Sequence, residues 1–143
     1  MSGLRDRVIT QLRPRPLPSL DNREFYEAAS RGELRFQRCS DCGSWRHYPR
    51  PICSVCLSRR FRWERASGRG ELYSWTVIHG PTLPAFQAEL PYVVGDVLLD
   101  EGLHFQSRIA GCRPEELRAG MKLEASFVAA DEDVTLVQFR PPR

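Results

Sequence analysis

The sequence predicts a mainly β protein with a short N-terminal helix, a cysteine-rich segment and a C-terminal five-stranded barrel. Three observations carry that expectation. Four of the five cysteines fall between residues 39 and 56 as two Cys-x-x-Cys pairs. Five runs of β-favouring residues, broken by turn residues, follow between 72 and 139. A single short helical pattern precedes both.

The chain has 143 residues, 41% hydrophobic and 27% charged, which suits one domain or two very small ones. Any piece of ~40 residues cut from it needs a staple such as a metal. No apolar run approaches the ~18 residues of a membrane span. The N-terminal stretch MSGLRDRVITQLRPRP lacks the ~7–15-residue apolar core of a secretory signal, so the expected compartment is the cytoplasm. Charge is divided unevenly. Residues 31–69 carry ten arginines against Glu33, Asp41 and Glu64, a net of +7. Residues 71–143 carry six basic and eleven acidic groups, a net of −5. A basic front joined to an acidic back suggests two modules with different surfaces.

Residues 1–19 are expected to form an extended arm, because the alternating prolines Pro14, Pro16 and Pro18 fix φ and remove donors. Residues 20–32 read as a helix. Asp21 is its expected N-cap, with Glu24 completing a capping box and Leu20 and Phe25 a hydrophobic staple. Phe25, Ala28 and Ala29 share one face, and Gly32 is the stop. So short a helix must dock on something. Residues 33–66 hold the cysteines, and Ser67, Gly68 and Gly70 mark a boundary.

Residues 70–141 read as β. Strands are expected at 72–79, 92–99, 103–109, 121–129 and 134–139. Asp100-Glu101-Gly102 and Asp131-Glu132-Asp133 make turns, and Pro114 opens a small helix between the third and fourth strands. That order is the order of an OB-fold barrel, with a small β-sandwich as the alternative. The loop 80–90, with Pro81, Leu83, Pro84 and Phe86, is unusually apolar and suits an interface, a ligand groove or packing over the barrel end.

Cys39-x-x-Cys42 and Cys53-x-x-Cys56 stand ten residues apart. A two-residue spacer puts both thiolates of a knuckle on one side of a tight turn, and two knuckles complete a tetrahedral shell. Gly43 suits the turn after the first pair. This is the pattern of a rubredoxin-like zinc ribbon. Zinc is expected, one ion per chain; iron is the less favoured metal for the same four thiolates. All four positions are filled by protein, so the metal is structural. Cys112 reads as a small buried hydrophobe. His47, His79 and His104 form no catalytic arrangement, and no P-loop, GxGxxG, GxSxG or HExxH motif is present.

Together these motifs resemble a known family. The ordered set is the helix before Gly32-Glu33-Leu34, then Arg38-Cys39-x-x-Cys42-Gly43 and Arg50-Pro51-x-Cys53-x-x-Cys56. It continues with Ser67-Gly68-x-Gly70, Tyr73-Ser74-Trp75-Thr76, Pro91-Tyr92, Leu99-Asp100-Glu101-Gly102 and Gly120-Met121. The chain is similar, over about residues 13–141, to the zinc-ribbon plus OB-fold proteins associated with thiolase-like enzymes. The resemblance implies a non-catalytic accessory subunit in lipid or acyl metabolism. It would partner a thiolase, aldolase or acyltransferase acting on CoA thioesters and help bind acyl-CoA, as a homodimer or hetero-oligomer. The four cysteine ligands carry over, and no catalytic residue does.

The residues agree in part. Coenzyme A carries phosphates, and Arg46, Arg50, Arg59, Arg60 and Arg62 could hold them bidentately. Phe86 and Trp75 are the candidate apolar contacts for CoA or a partner. The rival expectation is single-stranded nucleic acid, stacked on Trp45, Trp63, Tyr73 or Trp75. The acidic barrel segment argues against it. An autonomous enzyme would need an acid–base or nucleophile constellation that the sequence does not show.

Overall fold

The computed structural model describes residues 14–143; the expected arm therefore lies outside the described residues up to Arg13. Among the described residues one α-helix, α1 (Arg23–Ser30), leads into a small sheet of β1 (Arg35–Cys39), β2 (Trp45–Arg46) and β3 (Phe61–Arg65). Five strands follow: β4 (Arg69–Ile78), β5 (Tyr92–Leu99), β6 (His104–Ile109), β7 (Lys122–Ala129) and β8 (Thr135–Arg140). No helix among the described residues is long and apolar enough to cross a membrane.

The five strands close into a barrel in the order β4-β5-β6-β8-β7. All neighbours are antiparallel except β6 and β8, which run parallel where Ile109 meets Phe139. This is the closed OB-fold order, and closure disposes of the sandwich alternative. The connection between its third and fourth strands is a single 3-10 turn, Pro114–Glu116, tied by the Glu116 carboxylate accepting the Arg113 N–H at 2.7 Å. The apolar loop before β5 also winds into a 3-10 segment, Pro84–Glu89, which the composition alone did not suggest.

Alternation sets the barrel interior. Along β5, Val93, Gly95, Val97 and Leu99 point inward and are buried. Gly95 and Gly70 are demanded by close approach. A Cβ on Gly95 would sit 2.7 Å from Ile109 Cγ1, and one on Gly70 would sit 2.5 Å from the Leu98 carbonyl oxygen.

Helix α1 starts differently from the expectation. Its cap is Asn22, with no side-chain cap bond; the Asn22 amide oxygen instead accepts the Ser19 N–H at 2.6 Å. Leu20 is 87% exposed, so it makes no staple with Phe25. The preceding turn, in which Ser19 O accepts the Arg23 N–H at 2.9 Å, carries the entry to the helix instead and leaves Leu20 pointing to solvent.

The helix face of Phe25, Ala28 and Ala29 is buried. Phe25 lies 6.2 Å from Phe36 of β1 and 6.1 Å from Phe105 of β6, ring centroid to centroid. One hydrophobic core therefore crosses from the small sheet through the helix into the barrel. Each fully buried phenyl group of that core, such as Phe36 and Phe139, stabilises the fold by roughly 2 kcal/mol.

Candidate functional site

The small sheet exists to present two turns. Strand β1 ends on Cys39, and the chain folds back at once: the Gly43 N–H donates to Cys39 O at 3.0 Å and the Cys39 N–H to Ser44 O at 2.9 Å. The second turn repeats the pattern, Leu57 N–H to Cys53 O at 3.0 Å and Cys53 N–H to Ser58 O at 2.8 Å. In each, the residue after the second cysteine is left-handed, Gly43 at φ 73° and Leu57 at φ 62°. Glycine adopts that conformation freely; leucine pays steric strain for it.

These turns bring the Sγ atoms of Cys39, Cys42, Cys53 and Cys56 within 4.8 Å of one another. Cys39 and Cys56 stand 3.6 Å apart, and Cys42 and Cys53 3.7 Å apart. A tetrahedral zinc with Zn–S bonds of about 2.3 Å needs sulfurs roughly 3.8 Å apart, so the four residues fit the ion. Cys39 and Cys53 are buried, while Cys42 and Cys56 face outward.

The thiols are electrostatically unequal. Ser44 Oγ lies 3.2 Å from Cys53 Sγ, and this hydrogen bond, with the N–H groups of Cys56 and Val55, draws the Cys53 thiol down to about 6. The backbone N–H of Cys42 leads the groups that hold Cys39 low. At Cys56 the Ser58 N–H pulls downward, but burial and the three neighbouring cysteines outweigh it and push the thiol up to about 12. Four thiolates at this spacing repel, and a dication is what holds all of them deprotonated.

A latch joins the two turns. The Asp41 carboxylate, from the first, accepts the Ser58 hydroxyl and the Arg60 guanidinium, from just beyond the second. The Ser58 hydroxyl, then Arg60, hold its pKa below the usual range. Asp41 was not singled out in the sequence. Its only signal there was an acid lodged between two ligands in an otherwise basic segment.

The five arginines do not converge on one site. Arg46 is 6% exposed: its Nη1 donates to Arg50 O at 2.9 Å and its guanidinium lies over the Phe61 ring. Arg60 is held by Asp41, and Arg62 by Glu64 at 2.9 Å. Arg50 and Arg59 lie exposed on the surface. Phe86 sits half-buried in the 3-10 segment before β5. Trp75, on β4, lines a shallow hollow on the barrel with Asp96 and Gln106.

His47, read from sequence as an ordinary polar residue, is half-buried among aromatic rings. Its ring lies 4.7 Å from Phe105, 5.1 Å from Phe36 and 4.0 Å from Tyr48. Burial drops its pKa to about 4.

A four-thiol ribbon joined through one core to a closed OB barrel defines a class of small metal-stapled proteins. Residues 27–62 match the family described as "ChsH2, rubredoxin-like zinc ribbon domain", and residues 63–128 match "ChsH2, C-terminal OB-fold domain". The chain belongs to this ChsH2/DUF35 family. It is 34% identical to a DUF35 domain-containing scaffold protein of Methanocaldococcus jannaschii over 67% of this chain and 68% of that one. It is 42% identical to a probable enoyl-CoA hydratase alpha subunit of Thermomonospora curvata over 91% of this chain. It spans only 40% of the length of that hydratase relative. A solved structure titled "Ltp2-ChsH2(DUF35) aldolase" contains a chain similar at TM-score 0.81 and 39% identity, covering 89% of this chain and 98% of that one.

Proposed function

We propose that this chain is a non-catalytic accessory subunit that docks on a thiolase-like enzyme and helps it hold its acyl-CoA substrate, in lipid or acyl metabolism in the cytoplasm. The observation that carries the reading is the likeness, over 89% of this chain and 98% of the other, to a chain of the Ltp2-ChsH2(DUF35) aldolase. The surface supports it. Around the second knuckle Val55 is 71% exposed and Leu57 75%, and Ile52 is also exposed beside them. Apolar side chains on a rigid, metal-held turn suit a protein interface. The exposed Arg50 and Arg59 flank that turn and suit the phosphates of CoA or acidic groups of the partner.

In this reading the zinc, held by Cys39, Cys42, Cys53 and Cys56, supplies rigidity and no open coordination position. Arg46 braces the loop toward Arg50 from within, through its bond to the Arg50 carbonyl.

The test is affinity purification of the tagged chain from its native host, with mass spectrometry of what comes with it. A CoA-thioester enzyme of the thiolase class is expected. Recovery of nucleic acid, or of no CoA-dependent enzyme, would sink the reading. Replacing Val55 and Leu57 together by aspartate is expected to release the partner while leaving zinc content intact.

A further inference from the structure

A second concave feature lies apart from the metal. A cavity of about 420 Å³ opens where α1, the loop after β2, and strands β6 and β8 meet. Ligand pockets fall in the range of about 300–1,000 Å³, so this one is large enough to hold a small molecule. It is not the barrel interior, which Val97, Leu72 and Phe139 fill.

Its floor is an aromatic cluster of His47, Phe105 and Phe25. His47 and Phe105 are 4.7 Å apart with planes inclined by 25°. Phe25 is inclined to Phe105 by 26° and to His47 by 33°. The open side of such a cluster packs well against a flat apolar ring. Tyr26 and Tyr48 stand at its wall. Burial, then the neighbouring Tyr48, raise the Tyr26 phenol, which keeps its hydroxyl protonated as a donor. Among the described residues no lysine or arginine lines the cavity, and Asp21 is its one charged residue. The neutral state of His47 leaves the floor itself uncharged. An anion would have to enter an apolar space beside a carboxylate, with no cation among the described residues to meet it. The arginine-flanked knuckle and this cavity are therefore chemically opposite.

We propose that this cavity is a binding site for a neutral, flat, mainly apolar ring compound carrying a hydrogen-bond acceptor. The ring packs against His47 at the open side of this cluster, and the acceptor takes a hydrogen bond from Tyr26 or Tyr48. The site needs no partner enzyme, so it stands or falls separately from the proposed function.

The experiment titrates the zinc-loaded full chain with two probes, followed by NMR of the aromatic and methyl groups. The first probe, 2-acetylnaphthalene, is neutral and offers a ketone. The second, 2-naphthoate, has the same rings and a negative charge. Saturable binding of the ketone below about 1 mM is expected, with shifts at His47, Phe105 and Leu136. The carboxylate is expected to bind at least about tenfold more weakly. Gln106→Trp, at an exposed lining position on β6, should block the cavity and abolish binding. The double change Tyr26→Phe with Tyr48→Phe should weaken it roughly three- to tenfold and serves where Gln106→Trp disturbs the fold. The proposal is overturned by no saturation up to about 1 mM, by equal binding of the two probes, or by shifts that map elsewhere. It is equally overturned by folded variants that bind as tightly as the parent chain.

Discussion

At the scale of single residues, two side chains sit where their chemistry is disfavoured. His47 is an imidazole among phenyl rings, its Nδ1 without a hydrogen-bond partner among the described residues. Its pKa falls from 6.5 to about 4 in the folded state. Between these values the unfolded chain takes up a proton that the folded chain refuses. The stability tied to this group is therefore complete above about 6.5 and is lost as pH falls toward about 4. Lowering pH from 7 to 5 should cost about 2 kcal/mol through this residue alone. His47→Phe should remove that loss, measured as the difference between the two zinc-loaded proteins in urea titrations at each pH. A difference that stays flat with pH would show that His47 is not buried in this way. Leu57 is the second case. Its counterpart in the first knuckle is Gly43, and its side chain is 75% exposed. Leu57→Gly should relieve about 1 kcal/mol of strain and raise zinc retention against a chelator by roughly fivefold. A fall in retention would mean that the leucine contributes to the knuckle.

At the scale of elements, β4 does the most joining. It pairs with β5 along its length and with β7 at its start, and it passes a bulge between Leu72 and Ser74. Gly70 sits where both pairings begin, registered with Leu99 on one side and Leu123 on the other. A methyl group there meets backbone of the partner strand, which cannot rotate away. Gly70→Ala should cost about 3 kcal/mol, read as a fall in Tm of about 10 °C. An unchanged Tm would show that β4 and β5 can separate locally at no cost. Helix α1 is the other joining element. It is too short to persist alone, and its buried face holds the small sheet against the barrel.

At the scale of the molecule, the metal and the core divide the work. Residues 35–65 hold few apolar groups of their own, and Phe36 is buried only because Phe25 and Phe105 meet it. The four cysteines, placed to hold a metal, close the far end of that segment. Removing the metal with a chelator should raise hydrogen exchange across β1 and β3 by about a hundredfold or more, with a smaller rise in β5 and β6. Equal protection before and after chelation would show that the ribbon holds itself without metal. The charge division noted in the sequence persists as a basic ribbon and an acidic barrel, but most ribbon arginines face carboxylates of their own module.

What the sequence determined by itself was local or periodic. Cysteine spacing picked out the four residues whose sulfurs the fold brings together, because a two-residue spacer imposes the turn geometry that the sulfurs then share. Alternation and turn residues placed the five strands to within a few residues, and their order with one helical turn between the third and fourth led to the barrel. The resemblance of ordered motifs supplied the family. The tertiary structure decided everything that depends on distant residues meeting. It buried Arg46, latched the knuckles through Asp41 and left Leu20 in solvent. It also stacked His47 of the ribbon on Phe105 of the barrel, which created the aromatic cavity. Period and spacing report on neighbours a few residues apart, whereas a cavity floor is set by how whole elements pack. That packing is written in the sum of many weak contacts and in no single motif.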